Sequence, residues 1–192
     1  MEQNLDLSTY ELLSSYDKLI LKKENELQKY FFENVKQEDM TGDIELPLIY
    51  SEDSDYAKLR RIKPTITSEV AILEKKINDP EKYLINNVID NLNVNGLSKE
   101  EREEAIKKGL ELEVEKAKNK KEKYDLRLKT MEEEPKLFLR YYEFKNSDFS
   151  IVEDEDVRKK LHEMQTEINE YKKRRNAILG ALKDSENAPK ML

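Results

Sequence analysis

Cysteine and tryptophan are absent from this chain of 192 residues, which also holds only four glycines, five prolines and one histidine. Without cysteine there is no disulfide framework, no thiolate metal site and no cysteine nucleophile, and a reducing compartment suits the chain. So few turn-forming residues leave little means of building the frequent tight turns of an all-β fold. The glycines Gly42, Gly96, Gly109 and Gly180 stand isolated, so no glycine-rich loop is present to cradle a phosphate. His162 cannot make a zinc site by itself, since such sites want three or four protein ligands. Nor is there a Glu three residues before it to build a helix-bundle carboxylate cage. No apolar run approaches the roughly 18 residues of a membrane span, and Met1-Glu2-Gln3-Asn4 does not begin a signal peptide.

Apolar residues are also scarce. They make up 37% of the chain and charged residues 40%, against roughly 45–50% and about 25% in an ordinary globular domain. Such a chain either stays disordered or forms long helices that each bury a stripe, and strong periodicity decides for helices. The net charge of −7 and pI of about 5.1 have the wrong sign for coating nucleic acid or an anionic membrane.

The clearest periodicity is at Val157, Leu161, Met164, Ile168, Tyr171, Arg175, Ile178 and Leu182, which step alternately by four and three. This heptad seam predicts a helix burying one narrow stripe, with Ser150 and Glu153 as a capping box. Arg175 is its one charged position, and a polar residue there is expected to fix register and partner number. A second helix of about 35 residues is expected from the Ser98–Glu101 capping box to the residue before Pro135. Its seam, Val114, Ala117, Lys121, Tyr124, Leu128 and Met131, also carries one charged residue, Lys121. The two seams are expected to form a coiled-coil-like hairpin or bundle.

The N-terminal part predicts a helix of about 30 residues, capped by Ser8 and Glu11 and stopping near Gly42. Its face is read as Leu12, Tyr16, Leu19, Ile20, Leu27, Tyr30, Phe31 and Val35, interrupted at Lys23. Three short helices follow: Tyr56 to Ile62, ending before Pro64; Ile66 to Ile77; and one opened by Asp79 and Pro80 and carried by Leu84, Val88 and Leu92. Pro135 favours helix for the ambiguous stretch 137–144.

The expectation is an all-α, elongated protein in two regions. Residues 1–95 form a helical set with an acidic extended linker at 43–55, and residues 96–192 a long helical hairpin with an aromatic linker at 134–150. Phe138, Tyr141, Tyr142, Phe144 and Phe149, with Leu46, Leu48 and Ile49 in the first linker, are candidates for docking a partner if they stay exposed. The alternatives are that the rings fold back onto the long helices as core and that 43–55 is a solvated acidic loop. Acidic runs at Glu132–Glu134 and Glu153–Asp156 read as solvated helix ends without calcium-loop spacing. The basic runs around Lys121 and Lys172 to Arg175 point all round their helices, so nucleic acid is not expected as a direct ligand.

No catalytic, cofactor-binding or metal-binding residue emerges. The chain reads as a non-enzymatic structural or assembly protein that joins or spaces subunits, with protein partners that include copies of itself and no membrane partner. A phage or virus virion component (connector, scaffolding or packaged internal protein) is one form of that reading. Its place is the cytoplasm of the cell that makes it, or the virion if viral. The alternative is a small acidic regulator that binds and inhibits a partner such as a basic nucleic-acid-binding surface.

Overall fold

The structure, a computed structural model, describes residues 5–36, 55–144 and 149–187. Leu46, Leu48 and Ile49 of the acidic stretch lie outside these residues, and so does the side chain of Phe144. Among the described residues the chain is all-α, with seven helices: α1 (Leu7–Asn34), α2 (Asp55–Asn78), α3 (Pro80–Tyr83), α4 (Ile85–Asn91), α5 (Lys99–Glu133), α6 (Pro135–Phe144) and α7 (Glu155–Asn187). The only extended pairing among them is a single parallel bridge between Leu5 and Leu92.

Each helix end has a local cause. Asp6, not Ser8, caps α1: its carboxylate accepts from Thr9 N at 2.8 Å and from the Ser8 hydroxyl at 3.1 Å. Those hydrogen bonds to the charged form hold the Asp6 carboxyl below its ordinary pKa. The helix stops at Asn34, before Gly42, because Val35 turns extended while its N–H still bonds Phe31 O. Ser98 caps α5 as its spacing predicts, accepting from Glu101 N at 3.2 Å. At α7 the capping carboxylate is Asp154, one residue beyond the expected Ser150–Glu153 box. It accepts from Asp156 N and Val157 N.

Pro64 lies inside α2, so the expected break there does not occur. Proline in a helix interior costs about 3 kcal/mol. Leu59, Ile62, Ile66, Val70 and Leu73 lie on one stripe of a continuous helix, and Ile66 and Leu73 are buried. Burying each such side chain contributes about 1.5–3 kcal/mol, which offsets the proline. The expected single helix around Val88 is instead broken at Leu84, giving α3 and α4. α6 is helical from Pro135, as that residue suggested.

Ion-pair order gives the helix directions. Glu11–Lys108, Lys18–Glu115 and Lys29–Glu122 climb together, so α5 runs parallel to α1. Lys23–Glu167 and Asp17–Arg175 run in opposition, so α7 is antiparallel to α1. α2 packs on α5 with Glu74 near Lys121 and Ile66 near Met131, again antiparallel. Two parallel helices need a return path between them, and α2 supplies most of it.

α1 is therefore the shared partner. α5 and α7 each pack along it, while α2, α4 and α6 lie against α5. The expected hairpin of the two long helices is corrected: they meet α1, and α5–α7 is not one of the main packed pairs. The interior has three apolar clusters, each drawing on residues before and after 95. One joins Ile20, Leu27, Phe31 and Val35 to Leu137, Tyr141, Phe149, Val152, Leu161 and Ile168. The second joins Leu5, Tyr10 and Leu13 to Val88, Leu92 and Ala105. The third joins Ile66 to Met131 and Phe138.

Candidate functional site

The inward ionisable side chains gather where α1 meets α5 and α7: Tyr10, Asp17 and Glu24 on α1 face Glu113, Lys116, Lys123 and Arg127 on α5 and Lys172 and Arg175 on α7. Tyr10, Leu13, Asp17, Ile20, Glu24, Leu27 and Phe31 step alternately by three and four, a seam in its own right. Leu12, expected on the buried face, is exposed instead. Asp17 and Glu24 sit one heptad apart in this seam, and each meets cations from both neighbouring helices.

At the first layer Asp17 Oδ2 lies 3.3 Å from Lys116 Nζ of α5, and Asp17 Oδ1 contacts Arg175 Nε of α7. Arg175 Nη2 also donates to Asp17 Oδ2 at 3.5 Å. Nε has no well-aligned acceptor, so the contact is ionic more than a straight hydrogen bond. Beside this layer the Tyr10 hydroxyl donates to Glu113 Oε1 at 2.6 Å in a buried pair. Burial raises the Tyr10 pKa far above that of an ordinary phenol, and the Glu113 carboxylate adds to the effect. A polar recess of about 280 Å3 opens here between α1, α4, α5 and α7, walled by Tyr10, Ser14, Asp17, Glu113, Lys116 and Arg175.

At the second layer Glu24 Oε2 lies 3.3 Å from Lys123 Nζ of α5 and 3.9 Å from Lys172 Nζ of α7. Burial lowers the Lys123 pKa, while Glu24 pulls it back up and Arg127 pushes it down. One turn on, Gln28 is fully buried and uses both ends of its amide. Its Nε2 donates to Lys123 O at 2.9 Å, and its Oε1 accepts from Arg127 Nε at 2.7 Å. The Arg127 guanidinium then lies over Tyr124 and Tyr141, at 5.5 and 5.9 Å from the ring centres. Burial raises the Tyr141 pKa, and Arg127 opposes that rise.

The predicted seams are brought to different neighbours. In α7, Leu161 and Ile168 are buried, and Val157, Met164, Tyr171, Arg175, Ile178 and Leu182 are half-buried. Val157, Met164 and Tyr171 pack with α1, while Ile178 and Leu182 join the cluster around Val88 and Ala105. In α5, Tyr124, Leu128 and Met131 face α2 and α6. Lys121 binds Asp125 at 2.7 Å and approaches Glu74 at 3.9 Å, and these carboxylates raise its pKa. Ala117 is buried and Val114 half-buried.

The expected exposed aromatic patch is corrected. Phe138, Tyr141 and Phe149 are buried and Tyr142 is half-buried. Phe31 lies 5.2 Å from Tyr141 and 6.2 Å from Phe149 between ring centres, so the rings form core. Phe149 holds this place with a left-handed backbone, φ 58°, uncommon for a bulky side chain. His162 is exposed, with its ring at 6.4 Å from that of Phe149.

Asp17, Glu24, Gln28, Lys116, Lys123 and Arg127 were missed from sequence. The alternating steps through Tyr10, Leu13, Asp17, Ile20, Glu24 and Leu27 could have revealed the two acids as inward-facing. Nothing in α5 marks its polar stripe as buried. Among the described residues, no three His, Cys, Asp or Glu gather as a metal site, and no helix is long and apolar enough to cross a membrane. Comparisons with protein-family models, curated proteins and solved structures find no match.

Proposed function

We propose that this chain is a non-enzymatic structural protein that joins or spaces other protein subunits. The observation that carries the reading is how its inward ionisable groups are used. Asp17 and Glu24 each brace α1 to α5 and α7 at once, and Gln28 with Arg127 adds a third tie. These ties hold long helices in one register. α5 has 35 residues and α7 has 33, about 50 Å each at 1.5 Å per residue. That exceeds the roughly 40 Å width of a compact body with a radius of gyration near 16 Å. A braced body of this length suits holding partners a fixed distance apart.

The test purifies the tagged protein with its native partners and follows the complex across a salt series. A stoichiometric protein complex that survives about 0.5 M salt, where the Debye length is only a few Å, supports the reading. A complex with a basic nucleic-acid-binding protein that dissolves at that salt would establish the acidic-regulator alternative instead. Turnover of a co-purified small molecule would refute both.

A further inference from the structure

A second feature lies away from the braced layers, where α2 crosses the C-terminal half of α5. A groove of about 570 Å3 runs between them, floored by Leu59, Leu128 and Met131. Its α2 wall carries Arg60 and Lys63, and its α5 wall carries Glu132. All three charged residues are exposed. Neither cation forms an ion pair among the described residues, in a molecule whose inward charges are matched.

The groove thus offers an apolar floor, a cationic wall, and one acidic residue, Glu132, opposite. An amphipathic helix with acidic residues along one flank of its apolar stripe complements each part. Its acids would face Arg60 and Lys63, and its other flank, carrying no acid, would face Glu132.

We propose that this groove docks an acidic amphipathic helical segment of a partner protein. The proposal rests on the reading of this chain as a joiner of subunits and names the chemistry of what it joins. The probe is a fluorescent helical peptide with Leu at every third and fourth position and Glu along one flank. A twin carries Lys in place of each Glu. Anisotropy with the full chain should show the Glu peptide binding at least about tenfold more tightly than its twin. The Arg60→Glu/Lys63→Glu variant should reverse that preference, and Arg60→Ala/Lys63→Ala should abolish it. Both variants change exposed residues and should melt as the native chain does.

Equal binding of the two peptides, no binding of either, or binding indifferent to both variants overturns the proposal. Binding that appears only after Ile44, Leu46, Leu48 and Ile49 are changed to Ser also overturns it. That sequence is itself apolar and acidic, and the chain would then be its own occupant. A failed peptide experiment beside an intact, salt-resistant partner complex removes this groove alone, whereas loss of the complex removes the functional reading beneath it.

Discussion

Replacing Asp17 by Asn keeps its shape and removes the charge that Lys116 and Arg175 share. The side chains of Asp17, Lys116 and Arg175 are 19%, 37% and 29% exposed, between surface and interior. Exposed pairs contribute about 0.2–1 kcal/mol, and breaking a buried pair costs about 3–5 kcal/mol. These partly solvated pairs lie at the upper end of the exposed range, about 1 kcal/mol each, so Asp17→Asn should lose about 2 kcal/mol. At roughly 2–4 °C per kcal/mol for a chain of this size, the melting temperature should fall by about 4–8 °C. The loss should shrink at high salt, since both pairs are partly solvated. Arg175→Gln alone should cost about 1 kcal/mol, and the double variant less than the sum, with a coupling of about 1 kcal/mol. Replacing Arg175 by Ile should therefore destabilise, because Asp17 keeps only Lys116. Asp17→Leu/Arg175→Leu removes both charges, and such exchanges are often neutral or stabilising. Its cost would appear as lost register of α7 on α1, read as exchange-broadened amide resonances along both helices. The reasoning is refuted if Asp17→Asn melts with the native chain and the coupling energy is zero within about 0.3 kcal/mol.

Two glycines in long helices should respond oppositely to Ala. A Cβ at Gly109 would lie 2.6 Å from Val88 Cγ1, whereas one at Gly180 meets nothing within 4 Å. Gly109→Ala should lose about 1–2 kcal/mol by overpacking, and Gly180→Ala should gain about 0.5–1 kcal/mol from backbone entropy, both read by denaturant melts. Tyr10→Phe leaves Glu113 without its donor and should cost about 1–2 kcal/mol at pH 7. Because folding raises the Tyr10 pKa, its contribution is full below the unfolded phenol value near 10 and fades above it. Tyr10→Phe should thus flatten the alkaline limb of the stability profile, and an unchanged slope would exclude Tyr10 as a source of that limb.

The sequence by itself determined the helical class, because two periodicities and a shortage of turn residues allow little else. It also placed α5 and the capping roles of Ser98, Asp79 and Pro80, since these depend on neighbours within a turn. The stripes Val157–Leu182 and Ile66–Leu73 were legible because apolar spacing records which face is buried. The tertiary structure alone decided which stripe meets which. α1 became the shared partner of α5 and α7 through Asp17 and Glu24, residues whose charge makes them look solvated until cations from those two helices surround them. Arg127 and Gln28 are buried for the same reason: their cost is offset by partners nearly 100 residues away. Pro64 stays helical because residues on both sides of it are anchored to α5, a long-range gain that local propensity cannot register. The aromatics after Pro135 had no seam of their own and so looked exposed. Tyr141 and Phe149 are covered by Phe31 and Phe32, brought there by the parallel run of α1 and α5, and Phe138 by Ile66 and Met131.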